Sequence, residues 1–489
     1  MAHTAQQAPV TLYWHDYETS GTDPKWDRPV QFAGVRTDQA LNEIGAPLVI
    51  YCRPPHDRLP QPEACLLTGI SPQMADEQGL MEPVFMARIH EQLMQPGTCA
   101  LGYNTLRFDD EVTRYALYRN FYDPYAREWQ HGNSRWDLID LVRMTYALRP
   151  EGMVWPLNEG GRPSFRLEDI ASANQLAHDS AHDALSDVRA TIALARLMRA
   201  QQPRLYDWLF RLRDKRAVAK LLDLAKHTPV LHTSRMYPAE YGCTTLIMPL
   251  LAEANNANSI LAYDLRHDPT PFLELDTDAL AECLFTPNSD LAAGQLRLPV
   301  KTVRLNKCPA IAPQKILDDK VAYRIKLDIG ACRHHWQLLQ SRQDFWQRVR
   351  CVYALREPIT ANDADQALYQ GFIDDHDRSL LQRVRTAPPE QLTELVFPFR
   401  DARYPELLFR YRARNWPATL SDEERQRWQA ICCTHLTEKV SAGCLTLTEY
   451  REKIKLLRNQ SPPHAPDAVP MLDNLAAWGE KLALENGLS

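Results

Sequence analysis

The sequence predicts an α/β domain with a mixed β-sheet over residues 10–200, a β-rich domain over 201–355 and an α-helical domain over 356–489. Three observations lead to this prediction. Strand patterns separated by turn residues come first, and helical patterns then alternate with further strands. The pattern changes to short strands after Gln202 and to helices again near Pro358. A chain of 489 residues is also too long for one hydrophobic core.

The first domain is expected to begin with an antiparallel meander. Residues rich in β-branched and aromatic side chains cover Thr11–Tyr17, Val30–Thr37 and Pro47–Cys52, with short connections between them. A fourth strand is predicted over Thr98–Tyr103, so that helices cover the faces of a mixed sheet. Helical periodicity indicates the segments Pro83–Met94, Phe108–Phe121, Trp136–Leu148 and Asp183–Arg199.

The remaining elements follow a basic amphipathic helix that is predicted over Leu205–Ala225. Short strand patterns broken by proline and glycine (LIMPLL, SILAYDL and PVKTVRLNKCP) then indicate the β-rich domain. Helical spacing returns after Pro358, and a proline-rich loop at Pro462–Pro470 precedes the last helix. The helices are predicted over Ala364–Phe372, Arg378–Arg385, Ser421–Cys432 and a final segment that runs through Leu482.

The composition excludes several classes of protein. No run of about 18 apolar residues is present, so no membrane partner is expected. The N-terminus, MAHTAQQAP, lacks the basic start and apolar core of a secretory signal. Eleven cysteines without a CxxC pair argue against a disulfide framework or a zinc site. We therefore expect a cytoplasmic protein.

The net charge of −6 conceals basic segments. Lys301–Arg350 contains eleven Lys and Arg against four Asp, and Pro203–Val230 contains seven basic residues against three acidic ones. Such segregation suits a polyanion that binds at one defined place. Ordinary solvated helix faces remain the alternative for either segment alone.

Two carboxylates stand where the first strand ends. Asp16 and Glu18 are two residues apart, so a strand would project them to the same face. Adjacent acids repel each other and need a counter-charge, for which a divalent cation is the simplest choice. A solvated strand end with two surface acids is the alternative.

Two later motifs place further acids near helix starts. Asp109 and Asp110 follow the TCALGY strand, where capping of a helix is the competing explanation. His182 and Asp187 are five residues apart, which is a rotation of about 140° on a helix. His182 must therefore lie at or before the first turn if the two side chains are to converge.

Together these residues suit two-metal chemistry. Asp16, Glu18, Asp109 and Asp187 can hold two divalent ions roughly 4 Å apart, one of which activates water while the other stabilises the leaving oxygen. Carboxylate ligands favour Mg²⁺ or Mn²⁺ over zinc. A histidine with a pKa of about 6.5 can accept the proton of the attacking water.

The ordered motifs DxE, NxxxFD and HxxxxD resemble the DEDD 3′→5′ exonucleases of the histidine-bearing subgroup, which have a ribonuclease H-like fold. Longer segments extend the resemblance to the bacterial exodeoxyribonuclease I family over nearly the whole chain. These segments are HDYETSGTDPKWDRPVQFAGVRTD, GYNTLRFDDEVTRYALYRNFYDPYAREWQHGNSRWDL, RPSFRLEDI, VRLNKCP, LYQGF and FRYRARNWPATL.

This resemblance implies an exonuclease domain, an SH3-like domain and a helical C-terminal domain, arranged as a C-shaped clamp on single-stranded DNA. The implied activity is processive 3′→5′ degradation of single-stranded DNA to 5′-mononucleotides, in DNA repair and recombination. The C-terminal tail of the single-stranded-DNA-binding protein is an implied partner, and we expect a monomer.

The resemblance also implies roles for individual residues. Two Mg²⁺ ions, which Mn²⁺ can replace, would be held by the four acids, with His182 as general base. Asp109 is chosen over Asp110 because the family uses the first acid of the pair. Glu18 and Arg166 would hold the substrate.

A DNA track is expected where basic and aromatic residues interleave between Arg114 and Trp136, since bases stack on aromatic rings. A local aromatic cluster packed against the domain is the alternative. The candidate DNA contacts are Arg114, Tyr125, Trp129, Arg143, Lys301, Asn306, Lys307, Tyr369, Arg410 and Arg414.

Two other functions stay open at this point. An exoribonuclease of the same superfamily would use the same chemistry, although an oligoribonuclease needs no long clamp. A catalytically inactive single-strand-binding scaffold would belong to another class. The presence of all four acids and His182 speaks against a scaffold, because inactive relatives usually lose a ligand.

Overall fold

The fold is that of a computed structural model, in which residues 10–176, 183–287, 289–292, 294–355, 361, 363–460 and 468–488 are described. The chain divides into two compact units. The first unit combines Met1–Ser134, Asp179–Arg189 and Ile359–Ser489, and the second combines Arg135–His178 and Ala190–Pro358.

The described residues form two five-stranded sheets. The first sheet has the order β3-β2-β1-β4-β5, and the second has the order β10-β6-β7-β8-β9. The strands are β1 Thr11–Thr19, β2 Pro29–Thr37, β3 Leu48–Tyr51, β4 Thr98–Leu101, β5 Ser134–Arg135, β6 Val230–Thr233, β7 Thr244–Ala252, β8 Ser259–Asp264, β9 Val300–Arg304 and β10 Ala310–Pro313.

Helices make up most of the remaining described structure, with a 3₁₀ helix at Ala364–Gln370 among them. The α-helices are α1 Pro62–Thr68, α2 Pro72–Gln78, α3 Glu82–Leu93, α4 Asp109–Arg119, α5 Leu138–Leu148, α6 Leu167–Ala173, α7 Ala184–Gln201, α8 Pro203–Arg211, α9 Lys215–Leu221, α10 Thr277–Phe285, α11 Asp319–Arg324, α12 Ile329–Gln340, α13 Gln343–Ala354, α14 Asp375–Thr386, α15 Arg403–Asn415, α16 Asp422–Thr437, α17 Leu447–Gln460 and α18 Ala468–Glu485. None of them is long and apolar enough to cross a membrane.

The first sheet is mixed, as predicted. β1 pairs antiparallel with β2 and parallel with β4, and β2 pairs antiparallel with β3. On one face, Tyr13, Tyr17 and Phe32 pack with apolar residues of α3 and α4. Because side chains alternate along a strand, the neighbouring positions 16 and 18 of β1 project to the other face.

α4 also packs against the C-terminal helices of the first unit. Tyr115, Tyr118 and Phe121 share one hydrophobic cluster with residues that include Leu381 of α14 and Leu407 of α15. The helix that begins at Asp109 is therefore held from both sides, by the sheet core and by the C-terminal helices.

A buried ionic cluster lies in the same unit, and we define it by Asp57, Asp365, Arg28, Arg58 and Arg414. Nη2 of Arg414 lies 2.9 Å from Asp57 and 2.6 Å from Asp365. Arg58 lies 2.9 Å from Asp57, and Arg28 lies 3.3 Å from Asp365. Burial would raise the pKa of both carboxyls, but the guanidiniums, Arg414 first, hold both pKa values well below the usual range.

This cluster corrects the assignment of Arg410 and Arg414 as DNA contacts. Arg414 uses Nε, Nη1 and Nη2 on the two buried aspartates. Arg410 is buried and donates to Glu406 and Asp363 at 2.8 and 2.7 Å. Both guanidiniums thus serve the interior, because each already has carboxylate partners inside the protein.

The second unit contains the antiparallel sheet expected for the β-rich domain, together with more helix than the sequence predicted. The predicted helix over Leu205–Ala225 is two helices, α8 and α9, since the side chain of Asp214 accepts a hydrogen bond from the amide of Arg216 and starts a new helix. The helices α10 to α13 were not predicted. α13 covers the sheet, where the ring of Phe345 lies 6.3 Å from that of Tyr263.

Candidate active site

Three carboxylates of the first unit converge at the end of β1. One oxygen each from Asp16, Glu18 and Asp187 lies within 4.8 Å of the others. Asp16 and Glu18 share a face of β1, and Asp187 lies in the first turn of α7. A bulge follows directly at Glu18/Thr19, and the irregularity ends the regular pairing beside the acids.

Asp109 adjoins this group from the start of α4. β4 pairs with β1 only as far as Trp14, so the later amides of β1 need other partners on that side. The amide of Tyr17 donates to Oδ1 of Asp109 at 3.1 Å. This hydrogen bond ties the buried Asp109 to the strand that carries Asp16 and Glu18.

The pKa values of the clustered carboxyl groups indicate a site that a cation would stabilise. Burial, followed by the charges of Asp109, Glu18 and Asp187, raises the pKa of Asp16 well above its usual range. Burial and then Asp187 raise the pKa of Glu18 to about 8. Carboxylates that repel one another to this degree are stabilised by a cation between them.

The donor set fits a hard divalent ion. It consists of carboxylate oxygens alone, which suits Mg²⁺ or Mn²⁺ and disfavours softer metals. The three oxygens are close enough to share an ion with modest side-chain movement. His182, the predicted general base, lies outside the described residues.

Asp110 serves a different purpose from Asp109. Its carboxylate accepts a hydrogen bond of 2.5 Å from Nη2 of Arg127, and both side chains are buried. The pair closes an ionic contact inside the domain. It leaves Asp109 as the acid of this motif that adjoins the β1 carboxylates.

Three aromatic side chains of the first unit, Trp129, Tyr369 and Phe372, are exposed, and together with the half-buried Tyr125 we call them the aromatic surface. Trp129 is 65% exposed, Tyr369 53% and Phe372 88%. The rings of Tyr125 and Phe372 lie 5.9 Å apart. Within Arg114–Trp136 itself, Tyr115, Phe121 and Trp136 are buried, as the packed-cluster alternative expects, whereas Trp129 is exposed. Phe372 was not chosen from the sequence, although it ends the LYQGF segment.

Arg114 itself is buried and paired. It forms two hydrogen bonds with Glu128, at 2.7 and 3.0 Å, and one with Glu111 at 2.7 Å. Its Nη1 also donates to the hydroxyl of Tyr369 at 3.1 Å. The guanidinium therefore contacts Tyr369 and the ring of Tyr125, and its charge is offset by two carboxylates.

The other predicted contacts lie in the second unit and differ in exposure. Arg143 is buried and donates to Asp140 at 2.7 Å, whereas Asn306 is exposed. Lys301 and Lys307 are half-buried, and burial lowers the pKa of Lys301. Arg166 is exposed and forms an ion pair with Glu168.

Family comparisons agree with this architecture. Residues 13–195 match the family described as exonuclease, residues 213–355 match the exonuclease I SH3-like domain, and residues 362–482 match the exonuclease I C-terminal domain. The fold and the acidic site thus define an exonuclease with two accessory domains, as the sequence predicted.

Individual relatives narrow the class. Exodeoxyribonuclease I of Escherichia coli (strain K12) is 48% identical over 80% of this chain and 83% of that protein. The crystal structure of E. coli exonuclease I in complex with a dA16 oligonucleotide matches with a TM-score of 0.93 at 44% identity, covering 97% of this chain and all of that one. An ExoI/SSB-Ct complex matches with a TM-score of 0.91 at 42% identity and with coverage of 97% and 100%. The chain belongs to the exodeoxyribonuclease I family.

Proposed function

We propose that this chain degrades single-stranded DNA processively from the 3′ end and releases 5′-mononucleotides by metal-dependent hydrolysis. The observation that carries the proposal is the convergence of Asp16, Glu18 and Asp187 at the end of β1, beside Asp109. The 48% identity to an exodeoxyribonuclease I supports DNA as the substrate. A role in DNA repair and recombination is proposed on the same basis.

The site residues divide the work of hydrolysis. Asp16, Glu18, Asp109 and Asp187 would hold two Mg²⁺ ions, with Mn²⁺ as a substitute; such ions lower the pKa of a bound water and neutralise charge on the phosphate. His182 accepts the proton of the attacking water. Glu18 also faces the terminal nucleotide, and Arg166 holds the substrate.

Binding of the strand is assigned to surfaces in both units. In the first unit, the exposed rings of Trp129, Tyr369 and Phe372 offer faces on which bases can stack. In the second unit, Lys301, Asn306 and Lys307 are the proposed backbone contacts. A related structure holds a dA16 oligonucleotide, which supports single-stranded DNA as the ligand here.

The C-terminal tail of the single-stranded-DNA-binding protein is the proposed protein partner. This proposal rests on the related ExoI/SSB-Ct complex. Such a contact would bring the nuclease to single-stranded DNA on which the binding protein is already present.

One assay distinguishes the proposed function from the alternatives. End-labelled single-stranded DNA, duplex DNA and RNA are incubated with wild type, Asp16→Ala and His182→Ala, with and without Mg²⁺. We expect rapid release of mononucleotides only from single-stranded DNA, and only when wild type and Mg²⁺ are both present. His182→Ala should lower turnover by about 10²-fold or more while DNA binding stays nearly intact.

Two results would contradict the proposal. Release of mononucleotides from RNA but not from DNA would favour the exoribonuclease. Absence of metal-dependent release from every substrate, with DNA binding retained, would favour the inactive scaffold.

A further inference from the structure

Gln31 of β2 stands beside the carboxylate cluster and is buried, with 2% of its surface exposed. In the antiparallel register it lies directly opposite Glu18 on one side and Tyr51 on the other. Directly opposed residues project to the same face of a sheet. A polar amide therefore lies on the same face as the acids, within the strand sequence PVQFAGVRT.

The amide of Gln31 uses both its donor and its acceptor. Its Nε2 donates to the hydroxyl of Tyr51 at 3.1 Å and to Oδ1 of Asp183 at 3.5 Å. Its Oε1 accepts from the backbone amide of Ala184 at 3.4 Å. Two of these three contacts reach the residues that begin α7.

The start of α7 determines where Asp187 lies. Oδ2 of Asp183 accepts from the amide of Ser186 at 3.1 Å, as a helix-capping side chain does. The amide of Asp187 donates to the carbonyl of Asp183 at 3.0 Å, one turn further on. The contacts of Gln31 therefore anchor the turn that carries Asp187.

We infer that Gln31 is a positioning residue, which holds the first turn of α7 against β2 so that Asp187 meets Asp16 and Glu18 at the metal site. The inference rests on the proposed function. No other neutral side chain of this length offers a carbonyl for the Ala184 amide together with an N–H for Asp183. A glutamate would instead add a negative charge beside Glu18 and Asp183.

The test compares Gln31→Leu and Gln31→Asn with Tyr51→Phe. The Tyr51→Phe variant removes the hydrogen-bond partner of the Gln31 amide that lies away from the start of α7, and so it is the matched control. Metal affinity is measured without DNA, by calorimetry and by stabilisation against heat with increasing Mn²⁺ or Mg²⁺. Turnover, KM for single-stranded DNA and exchange of the Ala184–Asp187 amides are measured in parallel.

We expect both Gln31 variants to bind metal 10- to 100-fold more weakly, the range found when a residue that orients a metal ligand is removed. Turnover should fall while KM changes little, excess metal should restore part of the turnover, and amides of the first turn of α7 should exchange faster. Tyr51→Phe should leave the metal affinity, the turnover and the exchange of these amides close to those of wild type.

Several outcomes would overturn the inference. If the Gln31 variants bound metal as tightly as wild type, whether or not they are less stable, Gln31 would have only a structural role. If Tyr51→Phe weakened metal binding as much as the Gln31 variants do, the effect would come from the contact between β2 and β3 and not from the start of α7. If Gln31→Leu does not fold, Gln31→Asn decides. A wild type that binds no metal would instead contradict the proposed function.

Discussion

At the scale of single residues, the carboxylates of the site repel one another, and this repulsion destabilises the metal-free protein. The raised pKa values of Asp16 and Glu18 reflect burial together with like charge. We expect Asp187→Asn to raise the free energy of unfolding of the metal-free protein by about 1 kcal/mol, because it removes one repelling charge. The same variant should lose both activity and stabilisation by metal.

Thermal unfolding with and without Mg²⁺ checks this prediction. An increase of about 1 kcal/mol corresponds to a few degrees at most in a chain of this size. Glu77→Gln, which removes an exposed acid of α2, is the control and should leave both the activity and the metal response unchanged. A marked loss of stability in Asp187→Asn would show that the carboxylate is needed for folding itself.

The sequence could place Asp16 and Glu18 on one face because the rule that links them is local. Alternation along one strand places Asp16 and Glu18 together, whatever the rest of the chain does. Gln31 followed no such rule, since its partner Asp183 is 152 residues away. Arg414 was misassigned for the same reason, because its partner Asp57 is 357 residues away.

At the scale of elements, α4 joins the site to the aromatic surface. It begins at Asp109 and also carries Glu111 and Arg114, both of which contact the hydroxyl of Tyr369. The hydroxyl therefore fixes the orientation of the ring, and under the proposed function a base would stack on the exposed part of that ring. The two halves of this side chain have separable roles.

We expect Tyr369→Ala to weaken binding of single-stranded DNA by ~1–3 kcal/mol, since a stacking face is lost. Tyr369→Phe should keep most of the affinity and lose about 1 kcal/mol of stability, since only hydrogen bonds are removed. Fluorescence anisotropy with a catalytically inactive Asp16→Ala background measures the affinity. Equal losses of affinity in both variants would assign recognition to the hydroxyl and would contradict stacking.

Element boundaries were predicted best where periodicity is strong. α3 and α4 begin and end within two residues of the expected segments, and the meander of β1, β2 and β3 has the predicted pairing. The helices α11 to α13 were missed because their region opens with the strand pattern of β9. The change from a strand pattern to a helical pattern of apolar residues is hard to recognise within this basic segment, because charge does not indicate secondary structure.

At the scale of the whole molecule, the buried ionic cluster makes stability depend on pH. The pKa values of Asp57 and Asp365 are depressed by the surrounding guanidiniums. A depressed carboxyl contributes stability above its unfolded pKa of about 3.9, and this contribution is lost as the pH falls through the folded value.

Asp57→Asn is expected to destabilise the protein at pH 7 by about 3–5 kcal/mol, because it leaves buried guanidiniums without their counter-charge. Urea unfolding between pH 3 and pH 7 should show the gap between wild type and variant narrowing below about pH 4. Glu77→Gln is again the exposed control. A gap of constant size across this range would mean that packing, and not charge, stabilises the region.

The same cluster has a consequence for synthesis on the ribosome. Asp57 emerges 357 residues before Arg414, which at 5–20 residues per second is an interval of about 18–70 s. During that interval Asp57 lacks Arg414, although Arg58 is already present, and α4 lacks the residues of α15 that pack against it. We therefore expect a ribosome-bound chain to lack full nuclease activity until α15 has emerged, which the activity of stalled chains that end before or after α15 would measure.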